Sequence, residues 1–134
     1  MHVLVDTNIL IDYCFGKPYA VNFFEEAKRE AYEIYILEDV YAETRCLVSD
    51  FHKVAQLFEQ FIAAGLYHRI KTNKKLNQKT EALTKKCTLL IGHDLDRVDR
   101  KLIVLSLQQG HYILTKDKEL RQIARTEGCH LLSL

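Results

Sequence analysis

Four carboxylates stand where an α/β chain collects its chemistry. Asp6 directly follows His2-Val3-Leu4-Val5, an apolar run that reads as a buried strand. Glu43 lies six residues past Leu37, the last apolar residue of a second strand. Asp99 lies in the first turns of a helix that leads into the strand Tyr112-Ile113-Leu114. Asp117 stands at the exit of that strand, in Thr115-Lys116-Asp117. Gathered at one sheet edge, such carboxylates repel and are driven toward protonation. A hard divalent cation, Mg²⁺ or Mn²⁺, removes the conflict by taking oxygen ligands while keeping several waters. Such an ion suits phosphodiester hydrolysis, since it lowers the pKa of a bound water, polarises the phosphate and stabilises the leaving oxygen. Residue types and pattern alone therefore predict an acidic α/β site open to a metal.

The elements that position these acids follow from periodicity. Strands are predicted over 2–5, 34–37 and 112–114, with a weaker one over 66–71 and a last one over 129–132. Helical spacing runs over 19–31, opened by Pro18, over 38–49, and over 51–64 with Gly65 as its stop. It returns over 73–91 with a strongly polar face, over 96–109 ending at Gly110, and over 117–127 ending at Gly128. Gly92-His93-Asp94 breaks the pattern, and the apolar residues Ile9, Leu10 and Ile11 stay unassigned. The alternation predicts one α/β domain over 1–134 with a mainly parallel sheet. In such sheets functional groups gather at the carboxyl ends of the strands.

Composition sets further bounds. The 134 residues are 48% hydrophobic and 28% charged, which excludes a disordered or collagen-like chain. No apolar run approaches the roughly 20 residues of a membrane span. Residues 1–11 lack a basic leader and a cleavage site, so a cytoplasmic location is expected. The net charge is +1, from 19 basic and 18 acidic side chains, so nucleic-acid binding must come from local clustering. Cys14, Cys46, Cys87 and Cys129 form no C-x-x-C pair, which argues against a zinc knuckle and for reduced, mostly buried thiols. The six histidines are scattered.

Four short motifs carry a resemblance. Val5-Asp6-Thr7-Asn8-Ile9-Leu10-Ile11-Asp12 resembles the opening motif of the PIN-domain nucleases, the family that includes the VapC toxins. Glu38-Asp39-Val40-Tyr41-Ala42-Glu43 is similar to the second motif, and the segment from Asp99 to Gly110 to the third. The segment Tyr112 to Leu120, a strand closing in Thr-x-Asp, resembles the fourth. The resemblance runs from Val3 to Leu132, with little family signature over 51–92. It implies a three-layer α/β/α domain with about five strands in the order 3-2-1-4-5. It also implies a metal-dependent endoribonuclease in which Asp6, Glu43, Asp99 and Asp117 hold Mg²⁺ or Mn²⁺. Thr7 or Asn8 would then bind the phosphate or orient Asp6, and Thr115 would orient a carboxylate. An RNA substrate, a homodimer and, for a toxin, an antitoxin that blocks the acidic pocket are further implications.

Each residue also has a plainer reading. Asp6 suits a turn after a strand, Glu43 a solvated helix face, and Asp117 a helix cap. Asp96 could cap the helix that carries Asp99, and Asp94 or Asp96 could share the role of Asp99. Asp12 reads as a peripheral surface acid. Arg97, Arg100, Lys101, Lys116 and Lys118 flank the acids in sequence, where an RNA backbone would need positive charge. Lys71, Lys74, Lys75, Lys79, Lys85 and Lys86 read equally well as a solvated face. Phe23, Phe24, Phe58 and Phe61 read as core or dimer interface rather than base-stacking platforms. Two rival classes remain: a nuclease-inactive scaffold that binds RNA or protein, and a phosphatase of the haloacid dehalogenase type. The latter needs an aspartate two residues after the first, where this chain has Asn8.

Overall fold

β1 (His2–Val5) runs through the centre of a parallel sheet, paired with β2 (Glu33–Leu37) on one side and β4 (Tyr112–Leu114) on the other. Val3, Leu4 and Val5 are fully buried, as expected for a strand covered on both faces. β3 (His68–Ile70) pairs with β2 and forms the far edge, where it is short and mostly exposed. This computed structural model describes the backbone over residues 1–90 and 97–133, and side chains over 1–82 and 98–133. Among the described residues the sheet has four strands in the order β3-β2-β1-β4, flanked by helices in an α/β/α arrangement.

The predicted fifth strand is reduced to one parallel bridge, between Ile113 and Leu131. Ile113 N–H donates to His130 O at 2.9 Å, and Leu132 N–H donates to Ile113 O at 3.0 Å. The Leu132 carbonyl turns to the Arg121 guanidinium at 3.3 Å, so the ladder goes no further. The segment lies where position five of the expected order would be, beside β4 on its outer edge.

α1 (Thr7–Cys14) follows β1 with no loop and occupies the stretch that periodicity left unassigned. Asp6 caps it: one carboxylate oxygen, Oδ1, accepts from Thr7 N–H at 2.7 Å. Ile9 and Leu10 then pack into the core. The other helices are α2 (Pro18–Arg29), α3 (Glu38–Val48), α4 (His52–Ala64), α5 (Lys74–Leu90), α6 (Arg97–Gln109) and α7 (Lys118–Thr126). α4 ends on Gly65, whose φ of 60° is the left-handed conformation that glycine adopts without strain. α1 packs on α2, α3 and α4, while α5 packs on α6. Phe23, Phe24, Phe58 and Phe61 are all buried, which gives the core reading of these aromatics.

The cysteines and the histidines depart from expectation. Of the thiols, Cys14 is buried, Cys46 is exposed and Cys129 is half-buried, so burial is not the general rule; Cys87 lies outside the described side chains. The scattered histidines partly assemble at the amino edge of the sheet. There the rings of His68 and His111 stack on Tyr35, at 4.6 and 4.4 Å between centroids, with His2 beside them. This is ring packing, at the opposite end of the strands from the acids. Among the described residues no helix is long and apolar enough to cross a membrane.

Candidate active site

All four predicted acids line one small cleft at the carboxyl edge of the sheet. Its walls are Asp6, Thr7, Asn8 and Ile11, then Glu43 and Leu47 of α3, Asp99 of α6, and Asp117. The cleft holds about 180 Å³. Parallel pairing explains the convergence. β1 and β4 run side by side with Val5 opposite Leu114, so Asp6 and Thr115 leave the sheet at the same height. α3 starts at the end of β2, the other neighbour of β1, and one turn and a half of helix carries Glu43 to the cleft.

A buried hydroxyl ties the central acids together. Thr115 is completely buried, and its hydroxyl donates to Asp6 Oδ2 at 2.6 Å. Thr115 Oγ1 itself accepts from Asp117 N–H at 3.1 Å and from the Asn8 side-chain amide at 3.4 Å. The Asn8 carbonyl oxygen in turn accepts from Lys116 N–H at 3.4 Å. Thr115 thus bonds the Asp6 carboxylate, and Asn8 bonds Thr115 and the Lys116 backbone. Asp117 does cap α7, accepting through Oδ1 from Glu119 and Leu120 N–H at 2.9 and 3.2 Å. The cap uses one oxygen, so capping and a place in the cleft coexist. Asp6 is 5% exposed, whereas Glu43 and Asp99 are half-buried and Asp117 is exposed, so the cleft is deep on one side and open on the other.

Asp12, expected on the surface, is buried. It lies on α1 behind the cleft, where Lys116, Lys17 and the Tyr19 hydroxyl converge on its carboxylate. Its burial reflects the direction of α1, which brings Asp12 against Lys116 at the exit of β4. Burial opposes ionisation of Asp12, but Lys116, Tyr19 and Lys17 more than offset it and hold the carboxyl below its ordinary 3.8. A carboxyl with a depressed folded pKa adds stability above its unfolded pKa and loses it as the pH falls through the folded value. An Asp12→Asn chain is therefore expected to be less stable than wild type at pH 7, by about 1 kcal/mol. The gap should close below about pH 4. Thermal melts of both chains at pH 7 and pH 3 check this; an equal gap at both would contradict it.

The flanking cations divide. Lys118 is exposed beside Asp117, and Arg100 is half-buried. Lys116 keeps a side-chain exposure of 39%, but its ammonium pairs with Asp12 and lies over the Tyr19 ring. Lys101 departs from expectation: it is 2% exposed and bound to Asp39, so it cannot reach an RNA backbone. Asp94, Asp96 and the Arg97 side chain lie outside the described residues. Missed in sequence were Ile11 and Leu47, which give the cleft two apolar walls. Their positions on α1 and α3 follow from helical spacing, since Ile11 lies four residues past Thr7 and Leu47 four past Glu43.

The donor set suits a hard cation. It offers carboxylate oxygens from four elements, and a fully oxygen-based site is what Mg²⁺ and Mn²⁺ prefer. The Thr7 hydroxyl is buried on the cleft wall and has no hydrogen-bond partner among the described residues. An orphaned buried oxygen of this kind fits a site that completes itself with a ligand. Among the described residues no three His, Cys, Asp or Glu side chains already stand close enough to hold a metal together.

Known proteins place the chain. No curated protein matches the sequence. Solved structures do match, at low identity. VapBC2 from Rickettsia felis, bound to a DNA fragment from its promoter, has a TM-score of 0.74 at 18% identity, covering 99% of this chain and 98% of that one. VapC20 of Mycobacterium tuberculosis, a sarcin-ricin loop cleaving toxin, has a TM-score of 0.73 at 10% identity, covering 97% and 98%. A toxin–antitoxin complex from Klebsiella pneumoniae has a TM-score of 0.64 at 19% identity, covering 87% and 88%. At these identities the likeness is one of fold. The PIN domain family model matches residues 3–126, which takes in all four acids of the cleft, and the chain belongs to the PIN domain family.

Proposed function

We propose that the chain is a divalent-metal-dependent endoribonuclease that hydrolyses RNA phosphodiester bonds, and that it is the toxin of a toxin–antitoxin pair. One observation carries the nuclease reading: four carboxylates from four separate elements line a single cleft. The toxin reading is supported by structural neighbours that are toxins or toxin–antitoxin complexes. A homodimer acting in the cytoplasm completes the proposal.

Asp6, Glu43, Asp99 and Asp117 would hold Mg²⁺ or Mn²⁺, which when bound would activate water and neutralise charge on the phosphate. The chain's own residues do the rest. Thr115 holds the Asp6 carboxylate in one orientation through its hydroxyl. Asn8 braces Thr115 and the Lys116 backbone from α1. Lys118, exposed at the open side, is placed to meet a phosphate of the RNA backbone. Ile11 and Leu47 give the cleft apolar lining.

The test is incubation of the purified chain with a mixed RNA pool in Mn²⁺, in Mg²⁺ and in EDTA. Cleavage with either ion and none in EDTA is expected. Cleavage that persists in EDTA would overturn metal dependence. RNA binding without cleavage in any condition would favour a nuclease-inactive scaffold, and cleavage with no antitoxin recovered from the source would favour an RNA-processing enzyme.

A further inference from the structure

We propose that Lys101 is a positioning residue that sets Glu43 and Asp99 against one another, and so governs how tightly the cleft takes a divalent cation. The proposal rests on the reading of the cleft as a metal site. Lys101 is 2% exposed, and lysine is almost never buried so completely unless it is paired. Its Nζ donates to Asp39 Oδ2 and to Thr72 Oγ1, the latter at 3.1 Å. The Thr72 hydroxyl donates to Asp39 Oδ1 at 3.0 Å, which closes the triangle.

The triangle joins the two helices that carry Glu43 and Asp99. Asp39 is four residues before Glu43 on α3, on the same helix face one turn away. Lys101 is two residues after Asp99 on α6. Thr72 follows β3, so three elements meet at one ammonium. The Lys101–Asp39 ion pair therefore cross-links the helices that carry Glu43 and Asp99. Stability alone does not call for it, since a buried ion pair is often matched by apolar residues of similar size.

The sign of the effect separates positioning from bare electrostatics. Deleting a positive charge near four carboxylates should tighten cation binding if charge were the whole effect. Deleting a residue that holds two ligands in place should weaken it. The experiment is calorimetric titration of the full chain with Mn²⁺, without RNA, on wild type, Lys101→Met, Lys101→Arg and Thr72→Val. Lys101→Met is expected to bind Mn²⁺ about 10-fold more weakly, in the range seen when outer partners of ligands are removed. Lys101→Arg should recover part of the loss, because it restores a buried donor to Asp39. Thr72→Val removes one hydroxyl without stranding a charge and should weaken binding about threefold. Folded Lys101→Met that binds Mn²⁺ as well as wild type, or better, overturns the proposal. Should Lys101→Met not fold, unchanged binding by Thr72→Val overturns it instead. Wild type that binds no Mn²⁺ overturns the metal-site reading, and this proposal with it.

Discussion

An Asp6→Asn chain is expected to fold like wild type and to cleave RNA at least about 100-fold more slowly. The folding half follows from the cap. Asp6 starts α1 by accepting from Thr7 N–H, and asparagine caps helices as well as aspartate does. Its remaining carbonyl oxygen can keep that bond. What disappears is the charge of the most buried acid of the cleft, at the end of the central strand. Melting curves and single-turnover cleavage of a mixed RNA pool, run side by side, check both halves. Asp99→Asn should lose cleavage in the same way. Retained cleavage in both variants would overturn the site assignment, and a collapse of folding in Asp6→Asn would show that the carboxylate's role is structural.

Thr115→Val is the second large effect. Valine fills the same volume but has no hydroxyl, and the site is completely buried, so water cannot substitute. Three partners lose their bond at once: Asp6 Oδ2, Asp117 N–H and the Asn8 amide. The bond to Asp6 is of the charge-assisted kind, the strongest of the three. A loss of about 1–3 kcal/mol in stability is expected, read from urea denaturation. Cleavage should fall about 10- to 100-fold, since the hydroxyl orients an acid without being one. Thr115→Ser keeps the hydroxyl and should restore most of the cleavage. Equal loss in Ser and Val variants would point to packing of the methyl group rather than to orientation of Asp6.

The sheet was legible where burial is simple. β1, β2 and β4 are short apolar runs buried between layers, and their ends fall within a residue of expectation. Because parallel strands share one carboxyl edge, the acids at strand exits and early in the neighbouring helices were legible as a group, and all four line the cleft. α1 was not legible, because Ile9-Leu10-Ile11 is too short and too uniformly apolar to show a period; the Asp6 cap decides it. The last strand was overread, since apolar character over 129–132 does not say how many ladder bonds will form.

The charged partners were the least legible part. Lys101 looked like a surface cation because helices usually keep a polar face. α6 breaks that rule, being buried at every position from Lys101 to Ser106. Its partner Asp39 is 62 residues away, a pairing that no local spacing announces. Asp12 and Lys116 are the same case, joined only once β1 and β4 are neighbours.

Asp6, Glu43, Asp99 and Asp117 are proposed to form one cation site. The most direct test of this is the Mn²⁺ titration of wild type beside Asp6→Asn, Glu43→Gln, Asp99→Asn and Asp117→Asn. Wild type is expected to bind Mn²⁺ measurably and each variant more weakly, Asp6→Asn most of all. Wild type without Mn²⁺ binding, or binding that none of the four substitutions disturbs, would contradict it.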